Sequence, residues 1–461
     1  MTLPNGNGAA TTNRLRSGAR SPESRIIRAR FPLPESRSTF RLRSGLWILV
    51  AFVSLAGAPA LPAQSTQYTP PGTLGRPVVD RREALQRAVE EARWRLGPLR
   101  VEPWIGLREV ARVEQESPDG ETESDVTASA GAGLQLYLPV GSRTTLAAET
   151  LPEYVWWKER EDDRRLAGRY SAGLFVHANR FALEVTGRSI DGDTAIGPEL
   201  EARVPSEQRF GRARIEVPIA GGLALFGRAE LSSYDVDAAG IAPAAEALER
   251  DENEWQAGVR WRRGDFEIGL GAGGFAAEFD SAGAARDADG SSLLAELGLT
   301  REKLGFQLGA TAFELEPADG SGFEGFDDTL GQARLWWSPR ERFRLAFYGQ
   351  ERLTWSIESE RSYFVDRRLG TELGLSFGHR LAGRAFYETG ENRYSRRDGQ
   401  AARADDAESL GAGLDVELRR GLRLSGLWRR TTVENPAFEV DRTIDELRVG
   451  LVFGGGPDGV F

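Results

Sequence analysis

The sequence is poor in the residues that most often carry chemistry. Among 461 residues there is no cysteine, one methionine and only two histidines, His177 and His379. The chain therefore has no disulfide framework, no thiolate nucleophile and no cysteine metal site, and two histidines offer little for a histidine-based one. No glycine-rich phosphate loop with a lysine, no HExxH and no GxSxG stands in a suitable context. We assign no catalytic residue, no metal site and no cofactor, and we predict that the protein is not an enzyme.

Positive charge comes almost entirely from arginine, because Lys158 and Lys303 are the only lysines. The formal net charge is −10 and the isoelectric point is about 5.2. A nucleic-acid-binding chain would present a basic surface instead. The balance of charge therefore predicts no nucleic-acid partner.

The N-terminal stretch RLRSGLWILVAFVSLAGAPALPAQS has the three parts of a secretory signal. Arg41 and Arg43 precede an apolar run over 46–58, and small residues follow at a cleavage site. We predict a cleaved signal peptide with its N-terminal extension over residues 1–63, with cleavage after Ala63 and Ala60 as the second choice. The apolar run is shorter than the ~20 residues of a spanning helix.

Beyond the signal no apolar run is long enough for a transmembrane helix, which excludes a helical membrane protein. A linker over 64–79 leads into DRREALQRAVEEARWRLG, where leucine, valine and alanine recur at helical spacing. Asp80 with Glu83 resembles a capping box, and Gly97 is a suitable stop. The sequence predicts a periplasmic linker and one short helix, from Asp80 to Leu96, within residues 64–99.

From Arg100 to Phe453 the pattern changes to a period of two, which belongs to β-strands. In GRYSAGLFVHANRFALEVTGRS, for example, two alternating stretches flank the polar turn HANR. About eighteen such segments (between about 16 and 18) of roughly 9–14 residues can be marked, near the length of a tilted membrane strand. The first, Trp104 to Val113, alternates poorly.

Short and long connections alternate along this region. Short ones fall at 139–142, 177–180, 220–222, 263–265, 301–304, 338–342, 379–383 and 419–421. The longer ones are mostly acidic, for example EREDDRR, DGDTAIGPELEAR, SAGAARDADGSS and DGQAARADDAES. This order is typical of an up-and-down barrel with tight periplasmic turns at one rim and long loops at the other. An even number of strands places both termini in the periplasm.

Aromatic residues indicate two girdles at the membrane interfaces. We predict Phe181, Phe210, Phe266 and Phe343 beside short turns, and Tyr154, Trp156 and Trp355 toward long loops.

Together the signal, the hairpin alternation, the girdles and an aromatic C-terminus resemble the bacterial outer-membrane β-barrel superfamily, porin-like barrels included. The resemblance implies an all-β, transmembrane, antiparallel up-and-down barrel over residues 100–453, integral to the outer membrane and in contact with its lipid and lipopolysaccharide. It also implies that the last strand, LRVGLVF, carries the signal for the barrel-assembly machinery. The signal ends at either Phe453 or Phe461, with a C-terminal tail over 454–461.

The strand face opposite the apolar one is rich in charge, and charged side chains are costly in hydrocarbon. We therefore predict that this face lines the lumen, with these residues: Arg169, Glu184, Arg188, Arg212, Arg214, Glu216, Arg228, Glu230, Arg344, Arg352, Glu372, Arg384, Glu388, Asp415 and Glu417. Such a lumen suits the passive diffusion of small hydrophilic solutes. Two alternatives stay open: a barrel that exports an anionic exopolysaccharide, and a plugged structural or adhesive barrel.

Overall fold

The computed structural model describes residues 68–75, 81–116, 122–237, 243–280, 284–378, 380–397, 399–435 and 440–454. The predicted signal peptide, the capping residue Asp80, His379 and Phe461 lie outside the described residues.

The described chain is dominated by one closed antiparallel β-barrel of eighteen strands. Each strand pairs with the next in sequence, and the last pairs with the first, where Phe453 lies opposite Ile105. This confirms the predicted fold and a count near eighteen. A three-residue strand, β1 (Trp94–Leu96), adds to the start of β2. The barrel strands are β2 (Leu99–Glu116), β3 (Thr122–Val140), β4 (Thr144–Trp157), β5 (Arg165–Ala178), β6 (Phe181–Gly197), β7 (Leu200–Ala220), β8 (Leu223–Val236), β9 (Arg250–Arg263), β10 (Phe266–Phe279), β11 (Ala288–Thr300), β12 (Leu304–Pro317), β13 (Phe326–Arg340), β14 (Phe343–Trp355), β15 (Tyr363–Ser376), β16 (Leu381–Tyr394), β17 (Ala404–Arg419), β18 (Leu422–Asn435) and β19 (Val440–Gly454).

Alternation along β5 shows which face points outward. Leu166 is 75% exposed and Tyr170 is also exposed, whereas the intervening Ala167, Ser171 and Phe175 are buried. Successive side chains of a strand point to opposite faces, so the exposed apolar set forms the outer wall. Exposed leucines, valines and aromatics recur on this face around the barrel, as a lipid-facing belt requires.

All eight predicted short connections are present at one rim, here named the turn rim. They contain two to four residues each: 141–143, 179–180, 221–222, 264–265, 301–303, 341–342, 377–380 and 420–421. Gly264 has a φ of 61°, a left-handed conformation that glycine adopts without a steric penalty. Leu99 and Gly454 also lie at this rim, where the Gly454 amide donates to the Gly421 carbonyl.

The opposite rim, here named the loop rim, carries the longer connections, except between β6 and β7 and between β18 and β19. DGDTAIGPELEAR was predicted as a loop, but only 198–199 lie between β6 and β7. The strands on either side are instead 17 and 21 residues long, and Thr194 pairs with Val204 within this hairpin. Polar composition does not separate a loop from a hairpin that extends beyond the membrane, because both meet water.

The poor alternation of the first strand has a local cause. In β2 the register against both β3 and β19 shifts near Arg108. A β-bulge inserts one extra residue and so reverses the alternation beyond it.

The single α-helix among the described residues, α1 (Arg81–Glu91), is shorter than predicted. The chain leaves the helix because the Arg93 amide donates to the Glu102 carboxylate at 2.8 Å, and β1 then pairs with β2. Helix α1 lies inside the barrel. Its Ala84, Leu85 and Ala88 pack against the inner wall. Among the described residues, no helix is both long and apolar enough to cross a membrane.

Two of the seven predicted girdle aromatics face inward instead. Phe210 lies in the middle of β7, edge-on to the buried Tyr234 with ring centroids 5.8 Å apart. Trp355 is buried in an internal apolar cluster with Phe275 and Phe279, and its indole nitrogen donates to Glu252. Phe266 and Phe343 do lie at the turn rim, paired edge-on with outward-facing tryptophans.

Candidate functional site

The structure places all fifteen predicted lumen residues on the strand face opposite the exposed apolar belt. They occupy β5 to β8 and β14 to β17, where strand register brings many of them close. Arg212 pairs with Glu230 at 2.7 Å, for example, and Arg344 pairs with Glu372 at 3.3 Å. That these side chains line a solute pathway stays a prediction.

One part of the inner wall is a sealed charge network. Arg260 of β9 is 3% exposed and lies 3.1 Å from Glu216, 2.9 Å from Glu267 and 3.4 Å from Glu296. The two last carboxylates are also buried. Sequence alternation placed Glu216 in the lumen but did not single out Glu267 or Glu296, although both occupy inward positions of their strands.

Another part of the inner wall is open to water. Arg212 is 43% exposed and Arg214 is 41% exposed, although both point into the barrel, and Asp415 is exposed as well. The inner face of β7 is therefore accessible to solvent at Arg212 and Arg214.

A segment before the barrel occupies the opposite side of the lumen. Residues 68–75, YTPPGTLG, here named the strap, run along β14, β15, β16 and β18. Arginine side chains of the wall donate to its backbone carbonyls: Arg344 to Gly75 at 2.8 Å, Arg368 to Thr69 at 2.7 Å, Arg384 to Gly72 at 2.7 Å and Arg429 to Pro71 at 3.4 Å.

Two further contacts complete the strap site. Arg352 donates to the Thr69 hydroxyl, and the Gly72 amide donates to Glu388 at 2.7 Å. Four of the predicted lumen residues thus hold the strap: Arg344, Arg352, Arg384 and Glu388. Sequence reasoning missed Arg368 and Arg429, and it gave no signal that a linker would lie inside the barrel.

Helix α1 fills part of the lumen near the turn rim. It packs against Tyr137, Ala147 and Phe175 of β3, β4 and β5. Arg81 at its start pairs with the predicted lumen residue Glu184 at 3.2 Å. Together, the strap and α1 form an N-terminal lining inside the barrel.

The β6–β7 hairpin tip closes over the lumen at the loop rim. Glu199 accepts hydrogen bonds from the Ser356 hydroxyl and from the Ile357 amide, the latter at 2.8 Å, in the connection between β14 and β15. Strands β6 and β15 lie half-way round the eighteen-strand circumference from each other. Arg203, just behind the tip, pairs with Glu109 and Glu446 on a third part of the wall. The tip therefore spans the mouth.

Glu199 itself is buried at this docking point. The pKa of its carboxyl is raised to about 7, chiefly by burial and also by the nearby Glu358, against the lowering effects of Ser356, Ile357 and Arg403. Arg286 fixes the same connection by donating to the carbonyls of Ser356 and Glu358, and Arg442 donates to the Glu199 carbonyl.

The described residues contain no group of three or more potential ligands that could hold a metal ion. His177 lies one residue before the end of β5, at the turn rim, where its amide donates to the Arg143 carbonyl.

No family model matches the sequence, and no curated protein matches it. Solved structures with a similar fold include Pseudomonas aeruginosa OccK2 (OpdF), with 14% identity, a TM-score of 0.46, and coverage of 77% of this chain and 97% of that chain. Acinetobacter baumannii OccAB3 has 11% identity, a TM-score of 0.46, and coverage of 77% and 99%. The P. aeruginosa outer membrane protein OpdK has 13% identity, a TM-score of 0.47, and coverage of 77% and 98%.

The barrel is closed and has no free edge, and its strands are longer than a bilayer requires. Its outer face is apolar and its lumen is charged, as in transmembrane β-barrels. The described chain therefore has the architecture of an eighteen-strand antiparallel transmembrane β-barrel.

Proposed function

We propose that the protein is an outer-membrane channel through which small hydrophilic solutes diffuse passively along an Arg/Glu-lined lumen. The observation that carries this proposal is the water-exposed inner face of β7. Arg212 and Arg214 point into the barrel and keep about two-fifths of their side-chain surface exposed. A lumen packed solid would have buried them as Arg260 is buried.

The passage has two narrow points in this structure. The strap and helix α1 narrow the periplasmic side, and the β6–β7 hairpin tip covers the outer side. This assignment of sides follows from placing the turn rim in the periplasm, as is usual for such barrels. The proposed channel is therefore closed or narrow as described, and opens when one or both elements move.

The outer wall supports the proposed membrane partners. On the outward face, charged pairs lie between the apolar belt and the loop rim. Examples are Arg367 with Glu351 and Arg430 with Asp445. Basic groups at this height can pair with lipopolysaccharide phosphates. Phe453 ends the LRVGLVF stretch of β19, the position at which we expect the assembly machinery to read the last strand.

Purified protein reconstituted in a planar bilayer is expected to give stepwise ion currents, because water-exposed arginines point into a closed barrel. The measurement is single-channel recording, with heat-modified gel mobility as a check that the barrel is folded. A sealed bilayer with folded, inserted protein at every pH tested would favour the plugged barrel instead. Loss of a surface polymer on gene deletion, with solute uptake unchanged, would favour export of an anionic polysaccharide.

Replacing Arg169, Arg212 and Arg344 together by glutamate is expected to shift the reversal potential toward cation preference, because fixed charge in a narrow passage selects the counter-ion. The measurement is the reversal potential in a salt gradient. The matched control reverses Arg209, Arg367 and Arg430, which occupy the outward face. Equal shifts in the two triple variants would show that the inward arginines do not line the pathway.

A further inference from the structure

The strap and its wall match each other in hydrogen-bonding chemistry. Pro70 and Pro71 have no backbone N–H, so this part of the strap offers carbonyl acceptors without needing acceptors of its own. The guanidinium groups of Arg368, Arg384 and Arg429 in the wall donate hydrogen bonds to strap carbonyls. Hydrogen bonds from charged donors are stronger than neutral ones.

A strap amide also has a dedicated acceptor in the wall. The Gly72 N–H reaches Glu388, which is buried and accepts a second hydrogen bond from the Tyr348 hydroxyl at 2.9 Å. The guanidinium carbon of Arg368 lies over the Tyr68 ring, 5.2 Å from the centroid of that ring. The donors, the acceptor and the aromatic contact thus come from four different strands and converge on one peptide, which turns at residues 71–72 and again at 74–75.

The fit is also steric. Gly72 has a φ of 78°, and a Cβ at this position would lie 2.3 Å from the ring of Phe386, which is buried. Pro71, Gly72 and Gly75 are themselves buried against the wall. A proline-stiffened segment loses less conformational entropy on docking than a flexible one.

We infer that the inner wall of β14, β15, β16 and β18 is a binding site for a proline-containing peptide that turns at glycine, and that the strap is its tethered occupant. While it is docked, the strap keeps this half of the lumen closed and occupies the arginine donors. Undocking widens the passage and frees the same donors for a second peptide segment. The effect on conductance rests on the proposed channel function, whereas the binding site itself does not.

Gly72→Ala tests the inference from the strap side. The added methyl group collides with Phe386 and strains the left-handed backbone, so the strap is expected to undock and the unitary conductance to rise about two-fold, as this half of the lumen empties. Gly97→Ala is the matched control, because Gly97 has a φ of 60° and a Cβ there would meet no atom of the described residues within 4 Å.

Free YTPPGTLG peptide added to the G72A variant is expected to bind and to restore the low conductance. A short tether gives an effective concentration on the order of millimolar, so wild-type protein should resist free peptide up to that concentration. A peptide with both prolines replaced by alanine should bind G72A less well, because it carries two additional unsatisfied N–H donors. Fluorescence anisotropy of labelled peptide in micelles measures binding without any current.

An engineered disulfide tests the closing role of the strap reversibly. The chain has no cysteine of its own, so no competing disulfide can form. A Cβ at Gly75 would lie 2.7 Å from the Glu372 Cβ, so a shift of about 1 Å gives the usual disulfide spacing. The double variant G75C/E372C is expected to show low conductance when oxidised and higher conductance when reduced.

Equal conductance of the oxidised and reduced forms, or equal behaviour of G72A and G97A, would overturn the closing role of the strap. Absence of labelled-peptide binding to folded G72A would overturn the site itself. Peptide binding to G72A without current in any variant would instead count against the channel function alone, so the two failures are distinguishable.

Discussion

Replacing Arg260 by methionine is expected to lower the free energy of unfolding of the barrel by about 3–5 kcal/mol, the usual cost of removing one member of a buried ionic network. Arg260 is the common partner of Glu216, Glu267 and Glu296. Without it, three carboxylates of the inner wall lose their nearest shared positive charge in a place that water reaches poorly. Urea titration in micelles, followed by tryptophan fluorescence, measures the loss.

Arg262→Met is the matched control for this prediction. Arg262 lies two residues further along β9 and also pairs with Glu267, at 2.5 Å, but it is 52% exposed. An exposed ion pair contributes at most about 1 kcal/mol. Similar losses in R262M and R260M would show that burial is not what makes the network important.

The triple variant R260M/E267Q/E296Q extends the test to the mechanism. Neutral amides keep the shape of the two carboxyl groups but remove their negative charge, so part of the lost stability should return. No recovery would assign the effect of Arg260 to packing rather than to charge.

Lowering the pH from about 7 to about 5 is expected to reduce the open probability of the channel, because protonated Glu199 docks the β6–β7 hairpin tip more strongly. Its pKa is raised to about 7 when docked, chiefly by burial, above an ordinary value of 4.5. The docked state therefore holds the proton more tightly than the undocked state. Docking is strongest below pH 4.5, weakens as the pH rises from there to 7, and stays weakest above 7.

Single-channel recording across this pH range measures the effect. In Glu199→Gln the side chain keeps its size but cannot ionise, so the tip should stay docked and the open probability should stay low at all pH values. Ser356→Ala removes a hydrogen bond to Glu199 without removing a charge, and should raise the open probability while keeping the direction of the pH dependence. A pH response in E199Q as large as in the wild type would assign the response to another group.

The barrel could be predicted from the sequence because its signals are local. A period of two shows which face of each strand is apolar, and the short turns recur where the chain must reverse. The positions of Arg169, Glu184 and Arg212 on the charged face follow from counting residues from Leu166, Leu183 and Ile215. The weak alternation of β2 marked a real irregularity, its bulge.

Long-range contacts were the part that the sequence could not show. Nothing local in YTPPGTLG distinguishes a linker in water from a strap bound by arginines more than 250 residues away. Trp355 resembled an interface aromatic because it ends a strand, but it packs inward onto Phe275 and Phe279. The end of α1 at Glu91 likewise depends on Glu102, which accepts a hydrogen bond from the chain beyond the helix.

The pairing of β19 with β2 has a consequence for assembly. Helix α1 is joined to β2 by residues 92–98 and packs on β3, β4 and β5, close to the seam between β19 and β2. When that seam closes, the N-terminal segment is enclosed in the barrel. Arginines and glutamates of the inner wall then pair with carbonyls and amides of the same polypeptide. We therefore expect the newly closed barrel to be filled, and the proposed permeability to follow only when this N-terminal lining moves.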